Sequence, residues 1–352
     1  MKNFIYNSIK LIMRYGLHVY HKNIRVVGLD NVPTNKPVLF LPNHQSALLD
    51  VLLIATDCKR KPYFLARSDV FGNPWLNRIF SFFRMIPIYR IRDGRATLAK
   101  NDAIFNSCAK ALNNGEAIVM FPEANHNLKR RVRNLSKGFT RVLFRALELD
   151  PALDVQIVPV GLNYKHATGF PDEVAVYYGR PIALQAFLGQ VDRLNITIEI
   201  KHEVSKCLQE LTTHVPLEEN YDKIIDFLMN NNVDFLNPKE TNELISEFLG
   251  SENLGENQEF KKKSSSIFYP FFTTLNFPII LIWRSFIKPK VLEAEFLGTF
   301  RFVTAFIGFI GYYSILLISI GLLVNINIAI LMVLGIFVFN WLFVKYGQAA
   351  LH

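Results

Sequence analysis

The chain has 352 residues, half of them hydrophobic, with a mean hydropathy of +0.18 and 39 Lys and Arg against 30 Asp and Glu, a net charge of +9. That length holds more than one domain, and the positive balance calls for an anionic surface or substrate. Three widely spaced cysteines (Cys58, Cys108, Cys207) imply neither a disulfide framework nor a zinc site.

In chain order, residues 1–23 form the first element. Asn3, Asn7, Lys10, Arg14, His18 and His21 recur at helical spacing on one face, and Ile5, Ile9, Ile12, Met13, Val19 and Tyr20 on the other. This predicts an amphipathic helix with a basic face, suited to an anionic membrane surface or to packing on the globular domain. It lacks the single apolar block and small-residue cleavage site of a cleavable signal peptide.

Residues 24–216 alternate apolar runs of strand length with helical stretches. Strands are expected at Arg25–Gly28, Pro37–Leu41, Tyr63–Ala66, Ile86–Tyr89, Ala117–Phe121, Gln156–Asn163 and Ala175–Tyr178, and helices near 46–57, 73–83, 94–113, 136–148 and 192–214. Alternation of this kind predicts an α/β sandwich built on a mixed sheet. Residues 217–263 are polar and helical and are expected to be a connector. Residues 264–290 contain an uncharged stretch, Ser264 to Trp283, broken by Pro270, Asn276 and Pro278, which fits an interfacial or re-entrant segment better than a straight span. Within 291–352, Phe302 to Val344 carries no charge, roughly 60 Å of helix at 1.5 Å per residue and about twice the hydrocarbon thickness of a bilayer. Asn325 and Asn327 mark a turn, so two transmembrane helices, 302–323 and 328–346, are expected in a hairpin. Lys288, Lys290, Arg301 and Lys345 flank it and put both ends on the cytoplasmic side. This run excludes a soluble nucleic-acid binder.

The chemistry gathers in four places. Asn43-His44 follows a strand-like run, and Asp50 lies in the helical stretch after it. A histidine oriented by a carboxylate can remove a proton from a hydroxyl near neutral pH. Ile86-Pro87-Ile88-Tyr89-Arg90 ends in an arginine, with Arg92 two residues on. Phe121-Pro122-Glu123-Ala124 closes a strand and leads to Lys129, Arg130 and Arg131. Val158-Pro159-Val160 lies in a later strand. Ser46 lacks the Gly-x-Ser-x-Gly elbow of a nucleophile. Glu123 and His126 have the three-residue spacing of helical metal sites, but Pro122 and Asn125 make this a loop, and no metal or cofactor is expected.

In this order the four blocks resemble the phospholipid/glycerol acyltransferase family over about the first 215 residues. The family's N-H-x-x-x-x-D is matched by Asn43-His44 and Asp50, with five residues instead of four between His44 and Asp50. Its F-P-E-G is matched by Phe121-Pro122-Glu123, with Ala124 in the glycine place. The longer spacing requires a bulge or loop before the helix, and Ala124 predicts a turn without positive φ, or one of another shape. The resemblance implies transfer of a fatty acyl group from an acyl thioester, acyl-CoA or acyl carrier protein, to a hydroxyl of a glycerophosphate or lysophospholipid acceptor in phospholipid biosynthesis. The acceptor of first choice is 1-acyl-glycerol-3-phosphate; glycerol 3-phosphate or dihydroxyacetone phosphate is the alternative. It implies His44 as general base and Asp50 as its orienting partner. Arg90 would bind the acceptor phosphate, aided by Arg92 and the Lys129, Arg130, Arg131 run, and Glu123 would help hold the acceptor. The reading from another class is a catalytically silent lipid-binding membrane scaffold that keeps the fold.

Overall fold

The computed structural model describes residues 2–89, 100–189, 192–216, 218–250 and 267–347. Eight strands form one sheet: β1 (Asn23–Val27), β2 (Val38–Pro42), β3 (Tyr63–Arg67), β4 (Met85–Ile88), β5 (Ala117–Val119), β6 (Gln156–Tyr164), β7 (Glu173–Tyr178) and β8 (Ile182–Ala183). Their order is β1-β7-β6-β2-β5-β3-β4, with β8 beside β6. β2 runs parallel to β5 and β6, while β6 is antiparallel to β7 and β8, so the sheet is mixed.

β2 lies mid-sheet and is buried on both faces, which is why it reads as a continuous apolar run. Leu39 and Leu41 point to one face, under α4 (Lys100–Asn113), α5 (Gly138–Leu149) and α6 (Arg193–Leu211). Val38 and Phe40 point to the other, under α1 (Lys2–Tyr20) and α2 (Ala47–Asp57). A short helix, α3 (Pro74–Phe82), connects β3 to β4. The predicted connector carries α7 (Tyr221–Asn230) and α8 (Pro238–Gly250), which share a small core of Ile224, Leu228, Ile245 and Phe248. Asn242 ties α8 to the domain by donating to the carbonyls of Gln209 and Thr212 at 2.8 and 2.9 Å.

Beyond these lie α9 (Tyr269–Leu275) and α10 (Phe277–Lys290), bent by 91° at Asn276, then α11 (Leu297–Leu323) and α12 (Ile326–Tyr346). α11 and α12 are long and apolar enough to cross a membrane, and with their exposed apolar surfaces they mark a membrane protein. Asn325 caps α12 by accepting from the amide of Asn327 at 2.8 Å, as expected of a turn at that point. Inside the bundle the side-chain amides of Asn276 and Asn340 bond reciprocally at 2.7 and 2.8 Å, tying the bend to α12.

Two sets of contacts join the outer helices to the domain. α1 packs on the globular domain through Tyr6, Leu17 and Tyr20; beside them Lys10 donates to the carbonyl of Cys58 and the exposed Arg14 pairs with Asp57 at 3.5 Å, while Phe4, Leu11, Ile12 and Tyr15 stand exposed. The exposed side of α1 therefore mixes apolar residues with Asn3, Asn7 and Arg14. The membrane helices are also no separate appendage. Phe302 of α11 is 1% exposed and packs with Leu17 and Tyr20 of α1 in the core of the globular domain. Lys345 of α12 donates to the carbonyls of His18, His21 and Lys22 at 2.9 to 3.1 Å.

Candidate active site

β2 ends at Pro42, and the chain turns into α2 through Asn43 to Ser46. Asn43 anchors the turn to β6: its side-chain NH2 donates to the carbonyl of Leu162 at 3.0 Å, and its oxygen accepts from the Leu162 amide at 2.7 Å. The extra residue between His44 and Asp50 is absorbed at Ala47, the first residue of α2, whose φ of 40° forms the expected bulge.

Asp50 is fully buried in the first turn of α2. One oxygen accepts from the backbone amides of Gln45 and Ser46, each at 2.8 Å, and lies 2.7 Å from Nδ1 of His44. The other accepts from the Tyr164 hydroxyl at 2.6 Å. A carboxylate facing this many donors can only accept, so Nδ1 of His44 carries the proton and Nε2 presents a lone pair. Burial, then the Asp50 charge, raises the Tyr164 phenol well above its usual pKa, so it stays a donor. The His44 side chain is 15% exposed. Its ring stacks on Phe121 at 3.9 Å, and its carbonyl accepts from the amide of Asn127 at 3.0 Å. Asp57, the other carboxylate of α2, is taken by Arg14.

Glu123 follows β5 in the turn that carries Phe121. It is 9% exposed and binds Arg133 through Nη2 at 2.8 Å and Nε at 3.1 Å. Burial raises its pKa, opposed by Arg133 and more weakly by His44. Ala124 has φ of 60°, contrary to the expectation that alanine there signals a turn without positive φ. The turn keeps a left-handed geometry and the alanine bears its strain.

The basic run divides. Lys129 and Arg131 pair with Glu218 at 3.4 and 3.0 Å on the surface. Arg130 turns inward. It donates to the carbonyls of Tyr164 and Lys165 at 2.8 and 2.9 Å, lies 3.9 Å over the Phe235 ring, and burial lowers its pKa to about 10. Its guanidinium is occupied in bracing β6, which corrects its expected substrate-binding role. Arg90 and Arg92 lie outside the described residues. Arg133, missed in the sequence, is the cation that Glu123 holds; nothing in the local sequence pattern signals it.

The first turn of α11 closes the back of this site. The Thr299 hydroxyl accepts from the Leu49 amide and donates to the Ser46 carbonyl, both at 3.3 Å. Ser46 is fully buried there, which removes it as a nucleophile. His126 meets His44 edge-on at 5.5 Å, and its Nε2 lies 2.7 Å from Glu293. The ligand atoms of His126, Glu293 and Glu295 lie within 4.8 Å of one another, close enough to hold a metal, but Arg67 stands 3.9 Å from Glu293 and already supplies positive charge.

The family model described as Acyltransferase matches residues 23–163. "Glycerol-3-phosphate O-acyltransferase 2" of Saccharomyces cerevisiae is 26% identical over 112 residues, which is 32% of this chain and only 14% of the yeast protein. The crystal structure of the 1-acyl-sn-glycerophosphate (LPA) acyltransferase from Thermotoga maritima covers 60% of this chain and 81% of its own at 17% identity, with a TM-score of 0.42.

Proposed function

The chain belongs to the phospholipid/glycerol acyltransferase family, and we propose that it moves a fatty acyl group from an acyl thioester to a hydroxyl of a glycerophosphate acceptor. The observation that carries this reading is His44, with Nδ1 held 2.7 Å from a buried carboxylate and the opposite nitrogen uncommitted. In the reaction, Nε2 takes the acceptor hydroxyl's proton as its oxygen attacks the thioester carbonyl. Asp50 stabilises the imidazolium. As the tetrahedral intermediate collapses, the C–S bond breaks and the thiolate leaves with that proton, giving an ester and a free thiol. The thioester is already activated, so no covalent enzyme intermediate is required.

The acceptor of first choice is 1-acyl-glycerol-3-phosphate. The first turn of α11 packs on the turn that carries His44, so the base stands at the membrane surface, where an acceptor that already bears one acyl chain resides. Glycerol 3-phosphate is the second reading, favoured by the name of the yeast relative. Arg90, from its place in the second block, and Arg133, held by Glu123, are assigned the acceptor phosphate. Lys288, Lys290, Arg301 and Lys345 flank the hairpin, and this bias supports a topology with both ends, and with them the globular domain, on the cytoplasmic face.

The test is purified full-length protein offered labelled acyl-CoA or acyl carrier protein thioester with a panel of acceptors. Labelled phosphatidate from 1-acyl-glycerol-3-phosphate supports the first reading, and labelled lysophosphatidate from glycerol 3-phosphate the second. Transfer to neither acceptor from either donor overturns both.

A further inference from the structure

We propose that a cleft between the bent α9–α10 pair and α11 binds one anionic membrane phospholipid. Its phosphate would be held by Arg284, Lys288 and Arg301, with an acyl chain laid against Phe272, Ile279 and Phe309. The cleft measures about 140 Å³ and shares no lining residue with the site around His44, Asp50, Glu123 and Arg133. It lies outside the segment matched by the family model.

Charge and depth identify the occupant. Three cations line the cleft and no carboxylate does among the described residues. Arg301 is pinned in place: it donates to the carbonyls of Thr168 and Gly169 at 3.0 and 2.7 Å and lies 5.2 Å over the Trp283 ring. Arg284 is steadied by the Tyr269 hydroxyl at 2.6 Å. Charges gathered this way beside apolar walls call for an anion. Arg301 is also the last charged residue before the uncharged run Phe302 to Val344, so it marks headgroup level. Phe309, eight residues further along α11, lies about 12 Å deeper at 1.5 Å per residue. Cations at headgroup depth above aromatic and aliphatic walls at acyl depth fit a lipid drawn from the bilayer, whereas a free phosphate or soluble metabolite would leave those walls uncovered.

The lipid would also brace the site. Arg301 holds the carbonyls of residues 168 and 169, and the preceding Ala167 carbonyl lies against Gly298, whose other neighbours are Leu49 and the Ser46 hydroxyl.

The test is native mass spectrometry of the full chain in neutral detergent, titrated with dioleoyl-phosphatidylglycerol, with dioleoyl-phosphatidylcholine and inorganic phosphate as separate arms. One phosphatidylglycerol is expected to be retained, phosphatidylcholine to bind at least about tenfold more weakly, and millimolar phosphate to leave the lipid in place. The double variant Arg284→Gln/Lys288→Gln is expected to lose about tenfold or more in affinity while keeping its melting temperature. Ala305→Trp, which fills the cleft and leaves every cation, is expected to do the same to binding. Equal retention of the two lipids, displacement by phosphate, or parental affinity in the double variant overturns the proposal. The double variant alters only exposed side chains, so it decides the matter even if Ala305→Trp fails to fold.

Discussion

At Asp50, two backbone amides, a tyrosine hydroxyl and the His44 ring converge on one carboxylate. The amides fix the oxygens in space and Tyr164 completes their coordination, so one oxygen is held beside Nδ1. Asp50→Asn keeps the shape but turns an NH2 toward groups that already donate. It is expected to lower kcat by about 10²- to 10⁴-fold, with the acceptor KM changed only a few-fold. Equal falls in kcat for Asp50→Asn and Asp50→Ala, with KM intact in both, would be consistent with this, whereas an unchanged kcat in Asp50→Asn would remove Asp50 as the partner. Ala124 makes a separate prediction. A left-handed alanine costs ~1–2 kcal/mol, and glycine gives back ~0.4–1 kcal/mol through the unfolded chain. Ala124→Gly should therefore leave stability unchanged or raise it by up to about 1.6 kcal/mol, which urea unfolding can measure; a loss above about 1 kcal/mol would contradict the strain. The juxtaposition of His44 and Asp50 was legible from their spacing after a strand-like run, and the turn that carries Glu123 from its place after β5. Arg130 was misplaced because neighbours in a basic run need not share a direction: Lys129 and Arg131 point to solvent while Arg130 is drawn inward by the carbonyls of Tyr164 and Lys165.

Two contacts between elements set the site's geometry. A Cβ on Gly298 would come within 3.0 Å of Leu49 and of the Ser46 hydroxyl, and within 3.2 Å of the Ala167 carbonyl. Gly298→Val therefore forces α11 off the turn that carries His44. Acyl transfer is expected to fall at least about tenfold while the chain stays in the membrane through an alkaline carbonate wash, since the apolar length of the hairpin is unchanged. Activity within twofold of the parent would show that this contact does not position the turn. His214 holds the loop that leads to Arg133: its Nδ1 accepts from the amide of Val132 at 3.0 Å, and burial, then Arg131, lowers its pKa to about 4. The unfolded chain has an ordinary histidine near 6.5, so between pH 6.5 and 4 the unfolded state binds the extra proton. The contribution of His214 is complete above pH 6.5 and is lost as the pH falls toward 4. Melting temperatures from pH 7.5 to 4.5 should fall more steeply for the parent than for His214→Asn. Parallel curves would rule out the acid-sensitive contact, and the comparison cancels the opposite trend of Asp172, which burial raises to about 7 in both proteins. Seven of the eight strands and the helices of the domain were legible from apolar runs of the right length; the two-residue β8 was not, and residues 94–99 of the helix expected at 94–113 lie outside the described residues. The partners of Lys10 and Arg14 on α1 were not, because they are the Cys58 carbonyl and the Asp57 carboxylate at the end of α2.

Over the whole molecule, membrane and globular parts share one core. Phe302, Tyr20 and Phe170 form an aromatic cluster where α11, α1 and the loop after β6 meet, with ring centroids 5.1 to 5.3 Å apart around Tyr20. The hairpin was legible because nothing polar interrupts Phe302 to Val344 with a charge. Its seating on the turn that carries His44 was not, since Gly298 and Thr299 look like ordinary membrane-helix residues until their neighbours are known. The first turn of α11 and the His44–Asp50 pair are thereby held in one frame, and the chemistry proposed for the chain depends on that pair. The direct test is the initial rate of labelled acyl transfer from acyl-CoA to 1-acyl-glycerol-3-phosphate by purified full-length protein and by His44→Ala, with both shown to be folded by their melting transitions. The account predicts transfer by the parent and a rate in His44→Ala reduced by about 10²- to 10⁴-fold or more. A folded His44→Ala protein that transfers the acyl group within a few-fold of the parent would contradict it.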